Sequence, residues 1–119
     1  MRMIRTVGLL AAALVVLGCG GDGATAERSN DLTIEAGDLY YEPEELAASP
    51  GEVTFTMDNV GSAEHDLVIE ELGDEVVIDL IAGGESATGS ISLEEGTYTL
   101  YCTVVGHREA GMEATLDVG

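Results

Sequence analysis

The sequence predicts an all-β fold, an antiparallel Greek-key β-sandwich of about seven or eight strands. Three observations point there. Short segments alternate apolar and polar residues, turn-forming residues separate them every ten residues or so, and only one segment reads as helical. Leu32 to Ala36 sets Leu32, Ile34 and Ala36 on one face and Thr33 and Glu35 on the other. Val53 to Met57 repeats the pattern after a Pro50-Gly51 turn. Leu67 to Ile69, Val76 to Ile81, Ala87 to Leu93, Thr97 to Thr103 and Ala114 to Val118 follow as expected strands. Between them lie Asp58-Asn59-Val60-Gly61, Gly73-Asp74, Gly83-Gly84 and Glu94-Glu95-Gly96, all rich in turn formers. Glu42 to Ala48 is the segment expected to hold a helical turn. No internal repeat is visible.

The chain has 119 residues, with 4 Arg, no Lys and 23 Asp plus Glu, for a formal charge of −19. That length suits one domain. The charge argues against a nucleic-acid partner, because phosphate binding needs an excess of Lys and Arg. Acidic chains are often disordered, but 45% hydrophobic residues and a mean hydropathy of +0.19 indicate a chain that folds. Two Cys are too few for a disulfide framework, and two His too few for a multinuclear metal centre.

The N-terminus reads as an export signal. Arg2 and Arg5 come with no acid, and Val7 to Leu17 is an apolar or small-residue run of 11 residues. A run of that length suits a signal-peptide core, whereas a membrane-spanning helix needs about 20 residues. Val16-Leu17-Gly18-Cys19 resembles a bacterial lipoprotein box, which implies cleavage after residue 18 and lipid on Cys19. The alternative is an incidental thiol with cleavage in the small residues nearby. Cleavage before Cys19 leaves Arg28 and Arg108 against all 23 acids, 2 − 23, a net −21. Residues 20–30, GGDGATAERSN, read as a flexible tether, which puts the folded unit at residues 31–119.

Both histidines and the one Cys of the folded unit fall in two segments. One runs from Asn59 to Ile69 with His65 and Asp66; the other from Tyr101 to Met112 with Cys102 and His107. One thiolate, two imidazoles and a thioether make the soft donor set that suits copper. Two His and one Cys with a weak axial Met form an electron-transfer site. Zinc would accept Cys and two His, but structural zinc sites usually avoid thioether and close with a fourth Cys or His. Cys102 with either His could form a thiol nucleophile, yet no third orienting group or substrate pocket is evident. A Cys19–Cys102 disulfide would compete with both lipid and copper. Each residue also has an ordinary reading: surface His, buried thiol, core Met. Tyr98 and Tyr101 read as packing residues, and Tyr98 in particular as a buried tyrosine corner.

Asn59-x-Gly-x3-His65-Asp66 and Cys102-x4-His107-x4-Met112 resemble the ligand segments of the blue copper proteins, the cupredoxin family. Gly96 to Cys102 resembles the strand that leads into that family's Cys, and the likeness covers most of Leu32 to Val118. The ligand loop is longer than in plastocyanin-like members and is similar to that of rusticyanin- and sulfocyanin-type members and small bacterial cupredoxin lipoproteins. Many relatives carry Pro just before the Gly-His of this loop, where this chain has Val105. The resemblance implies one type 1 copper held by His65, Cys102 and His107 in its plane and Met112 on its axis, with Asn59 and Asp66 holding the loops. It implies an electron carrier with no catalysis, exported, anchored by lipid on the outer side of a bacterial membrane, and monomeric. Its partner would be a redox protein such as a cytochrome or an oxidase, with a basic patch for the acidic surface. Salt adaptation would give the same acidity. A copper delivery or storage protein would use the same ligands, but no Met-rich or His-rich tract accompanies them; a module without copper would leave four filled ligand positions unexplained.

Overall fold

The computed structural model describes residues 26–119. The expected signal peptide, Cys19 and most of the expected tether lie outside these residues. Nine strands form two sheets. They are β1 (Asp31–Gly37), β2 (Tyr40–Glu42), β3 (Glu45–Ala48), β4 (Gly51–Asn59), β5 (His65–Ile69), β6 (Glu75–Ile81), β7 (Ser86–Leu93), β8 (Gly96–Tyr101) and β9 (Glu113–Val118). One sheet has the order β2-β1-β4-β7, the other β3-β9-β8-β5-β6. The alternation read from the sequence becomes burial: in β1, Leu32, Ile34 and Ala36 face inward, and in β9, Ala114, Leu116 and Val118 do so. Ile34, Phe55, Met57, Leu67, Leu100 and Leu116 are fully buried between the sheets. Each such side chain contributes about 1.5–3 kcal/mol relative to exposure.

Two features depart from expectation. Glu42 to Ala48 holds no helical turn; it supplies the end of β2 and all of β3. Leu46, Ala47 and Ala48 are buried in succession, and the segment pairs with β9 from Glu45↔Thr115 to Ala48↔Val118. That pairing outweighs the helix preference of its Glu, Leu and Ala residues, and Pro50 disfavours a helical Ser49. The sandwich is also not wholly antiparallel, because β1 runs parallel to β4 and β3 parallel to β9. Between β5 and β6 the chain makes a single 3₁₀ turn, Glu70–Leu72, closed by Gly73 at φ 67°. No helix among the described residues is long and apolar enough to cross a membrane.

The folded unit takes up residues 28–30. Ser29 donates its N–H to the Ala47 carbonyl at 3.0 Å, and the Asn30 amide donates to the carbonyls of Ser49 and Glu52 at 2.9 Å each. Arg28 pairs with Asp117 at 2.7 Å. Residues 28–30, expected in the tether, are therefore bonded to the sheets.

Candidate metal centre

One end of the sandwich brings the two predicted segments together. His65 is the first residue of β5, and Cys102 directly follows the last residue of β8. The connection from Cys102 to β9 folds on itself: His107 donates its N–H to the Val104 carbonyl at 3.0 Å, and Met112 to the His107 carbonyl at 3.1 Å. Cys102 in turn donates its N–H to the Met112 carbonyl at 3.3 Å. Gly106 at φ 84° and Gly111 at φ 111° supply left-handed backbone that side chains rarely adopt. The loop thus closes on itself through these bonds without the proline many relatives carry.

Cys102 Sγ lies 3.9 Å from His65 Nδ1 and 3.6 Å from His107 Nδ1. One ligand atom from each of the three residues falls within 4.8 Å of the others. The two imidazole rings are tilted by 51° with centroids 5.0 Å apart. His65, Cys102 and Met112 are buried, while His107 is half-buried. Burial pushes the Cys102 thiol above its ordinary pKa, so metal binding there would displace a proton. Met112 sits at the end of the same loop, bonded through its main chain to both Cys102 and His107.

Asn59 and Asp66 knit the backbones that carry these side chains. Buried Asn59 donates to the carbonyls of Ala63 at 2.9 Å and Ile81 at 3.0 Å, and accepts from Gly61 N–H at 3.0 Å. Both N–H groups of its amide and its oxygen are engaged, tying the loop before His65 to itself and to β6. Buried Asp66 accepts from Thr103 N–H at 2.8 Å and from the Thr103 hydroxyl. Because Asp66 follows His65 and Thr103 follows Cys102, this pair holds the two segments side by side. The buried Tyr41 hydroxyl donates to the Asp66 carbonyl.

Three contacts at this end lie beyond the sequence reading. Asp38, in the turn between β1 and β2, reaches His65 Nε2 at 3.2 Å. The N–H groups of Ala63 and Ser62, together with His65, hold its carboxyl below the usual carboxylate range. Arg108 donates to Glu70 at 2.8 Å and Glu113 at 2.5 Å, and its guanidinium stacks 4.2 Å above the Tyr101 ring. It ties the ligand loop to the 3₁₀ turn and to β9. Tyr41 forms the third, from a strand that sequence alone did not reveal. A residue such as Asp38, 27 positions from its partner, carries no local signal. Tyr101 donates to Asp74 at 2.7 Å, and the Tyr98 hydroxyl donates to the Glu94 carbonyl at 2.8 Å, four residues upstream, as a tyrosine corner does. Val104 is half-buried and Val105 is 97% exposed beside His107.

The donor set fits one type 1 copper. Two imidazole nitrogens point at a buried sulfur, with a thioether residue closing the loop, and hard oxygen donors are absent from the described cluster. Comparisons agree. A family model described as "Cupredoxin-like domain" matches residues 9–113. Auracyanin from the photosynthetic bacterium Roseiflexus castenholzii superimposes with a TM-score of 0.68 at 22% identity, over 78% of this chain and 99% of its own. Auracyanin A, a "blue" copper protein from Chloroflexus aurantiacus, gives 0.64 at 21% identity, over 78% and 100%. The purple cupredoxin of Nitrosopumilus maritimus gives 0.55 at 21% identity, over 75% and 100%. At these identities the structural likeness establishes the fold. No curated protein sequence matches the chain. With a family model spanning most of its length, this chain belongs to the cupredoxin family.

Proposed function

We propose that the chain is a lipid-anchored, single-copper electron carrier on the outer side of a bacterial membrane. His65, Cys102, His107 and Met112 would hold the copper. The carrying observation is the meeting of two imidazole Nδ1 atoms and a buried thiol within 4.8 Å, presented by separate strands and a self-bonded loop. When bound, copper supplies a one-electron Cu(II)/Cu(I) couple. The protein's part is to fix the donors so that neither state demands rearrangement, and to exclude water from all but the His107 edge. That edge, between Val104 and the exposed Val105, is the route for the electron.

Residues 1–18 serve as the signal peptide, Cys19 takes the lipid, and the chain up to the folded unit is the tether. The redox partner is a cytochrome or an oxidase docking on a monomer. The test is to add Cu(II) to the purified protein and record visible and EPR spectra. An intense blue thiolate-to-copper band with a small parallel hyperfine splitting, lost in Cys102→Ser, is the expected result. A pale spectrum unchanged by that substitution would overturn the electron-carrier reading.

A further inference from the structure

We propose that Asp38 is the positioning residue for His65: it fixes the imidazole tautomer that aims Nδ1 at the metal, and its charge biases the site toward Cu(II). The inference rests on the ligand reading above. His65 is fully buried, so an unpartnered Nε2 would be costly. Its partner is Asp38 Oδ1 at 3.2 Å. The same oxygen accepts from two backbone N–H groups and so acts as an acceptor; in the neutral ring Nε2 then carries the proton and Nδ1, on the Cys102 side, keeps the lone pair. A carboxylate on the far nitrogen also makes the ring a stronger donor, which favours the more highly charged ion.

Two further features show that the fold is built to hold Asp38 there. The first is room. Asp38 Oδ1 also accepts from Ser62 N–H at 3.0 Å and Ala63 N–H at 3.1 Å, which draws it into the loop before His65. A Cβ on Gly61 would lie 2.3 Å from that same oxygen and 2.9 Å from the Asp38 nitrogen, so the glycine makes the space that the carboxylate fills. The second is strain. Leu39, next in the turn, adopts φ 70°, a left-handed conformation that residues with a Cβ rarely take. It is 45% exposed, so its own burial does not account for that conformation. Asp38, its neighbour in the turn, is the residue bonded to the loop before His65.

The test has two readings. In the metal-free full chain, ring ¹⁵N NMR should show the neutral His65 ring as the Nε2–H tautomer. Asp38→Ala should mix the tautomers, and so should Gly61→Ala, which displaces Asp38 without altering it. In the copper-loaded chain, Asp38→Asn keeps an acceptor and removes the charge. It should retain the blue band while shifting the Cu(II)/Cu(I) equilibrium at least threefold toward Cu(I), about 28 mV at 59 mV per tenfold for one electron. An unchanged tautomer in Asp38→Ala, or a shift below about 1.5-fold in Asp38→Asn, overturns the proposal. If the wild-type chain shows no blue band, the ligand reading fails, and the metal-free tautomers still decide the role of Asp38.

Discussion

Asp66 should be the residue whose loss most directly loosens the metal centre without touching a ligand. It is buried and accepts two hydrogen bonds from Thr103, one at 2.8 Å from the N–H and one from the hydroxyl. Hydrogen bonds to a charged group contribute about 1.5–3 kcal/mol each. Two considerations lower the sum: Thr103 is exposed, so water can replace part of what it loses, and removing a buried carboxylate also removes its desolvation cost. Asp66→Ala should therefore cost about 2–3 kcal/mol, which for a domain of this size is a fall of roughly 8–24 °C in Tm. Asp66→Asn can accept from the N–H and donate to the hydroxyl, and should cost about 1 kcal/mol. Urea titration of the metal-free protein is the assay, since bound metal would add its own stabilisation. A loss below about 1 kcal/mol in Asp66→Ala, or equal losses in the two variants, would refute the idea that these two bonds carry the effect.

Arg108→Ala should leave the urea midpoint nearly unchanged, because its ion pairs are at the surface, yet speed amide hydrogen exchange in residues 106–112 severalfold. Exchange as slow as in the wild type would show that the loop's own turns suffice. The Tyr101 phenol is pushed up to about 12, chiefly by its hydrogen bond to Asp74. Its stabilising effect is whole below about pH 10, where the unfolded phenol is still neutral, and is lost as pH rises from about 10 to about 12. Asp74→Asn should lower that ionisation toward the ordinary value, read as tyrosinate absorbance against a Tyr101→Phe control.

Patterns confined to a short stretch were legible in the sequence. The inward faces of β1, β4 and β9 follow the alternation of Leu32-Thr-Ile-Glu-Ala36, Val53-Thr-Phe-Thr-Met57 and Ala114-Thr-Leu-Asp-Val118. The grouping of His65, Cys102 and His107 was legible too, because their types and spacing are local to two segments. Pairing was not. Parallel β1–β4 and β3–β9 contacts depend on which sheet a strand joins, and a strand's own residues do not record that. Glu42 to Ala48 misled because helix propensity is intrinsic to its residues, whereas the β9 edge that captures it lies about seventy positions away. Asp38, Tyr41 and Arg108 were hidden for the same reason: an acid in a turn and an Arg in a loop look alike whether they meet solvent or a buried imidazole.

Charge and structure then combine at the functional end. Both arginines among the described residues are engaged: Arg28 bonds the chain before β1 to Asp117 and to the Ala48 carbonyl, and Arg108 clamps the ligand loop. Each makes several directed bonds from one planar group, which Lys could not reproduce. Both described cations therefore serve the fold, and the exposed acids of the described residues confront a partner with no other cationic side chain beside them. Attraction must come from the partner's own cations, and it must weaken as the Debye length shrinks from about 30 Å at 0.01 M salt to about 8 Å at 0.15 M. Electron transfer to a basic cytochrome should thus slow steeply over that range, while transfer to a neutral small oxidant through the His107 edge stays flat. A rate to the natural partner that ignores salt would mean that the acidity serves solvation, with docking left to the apolar surface around Val105.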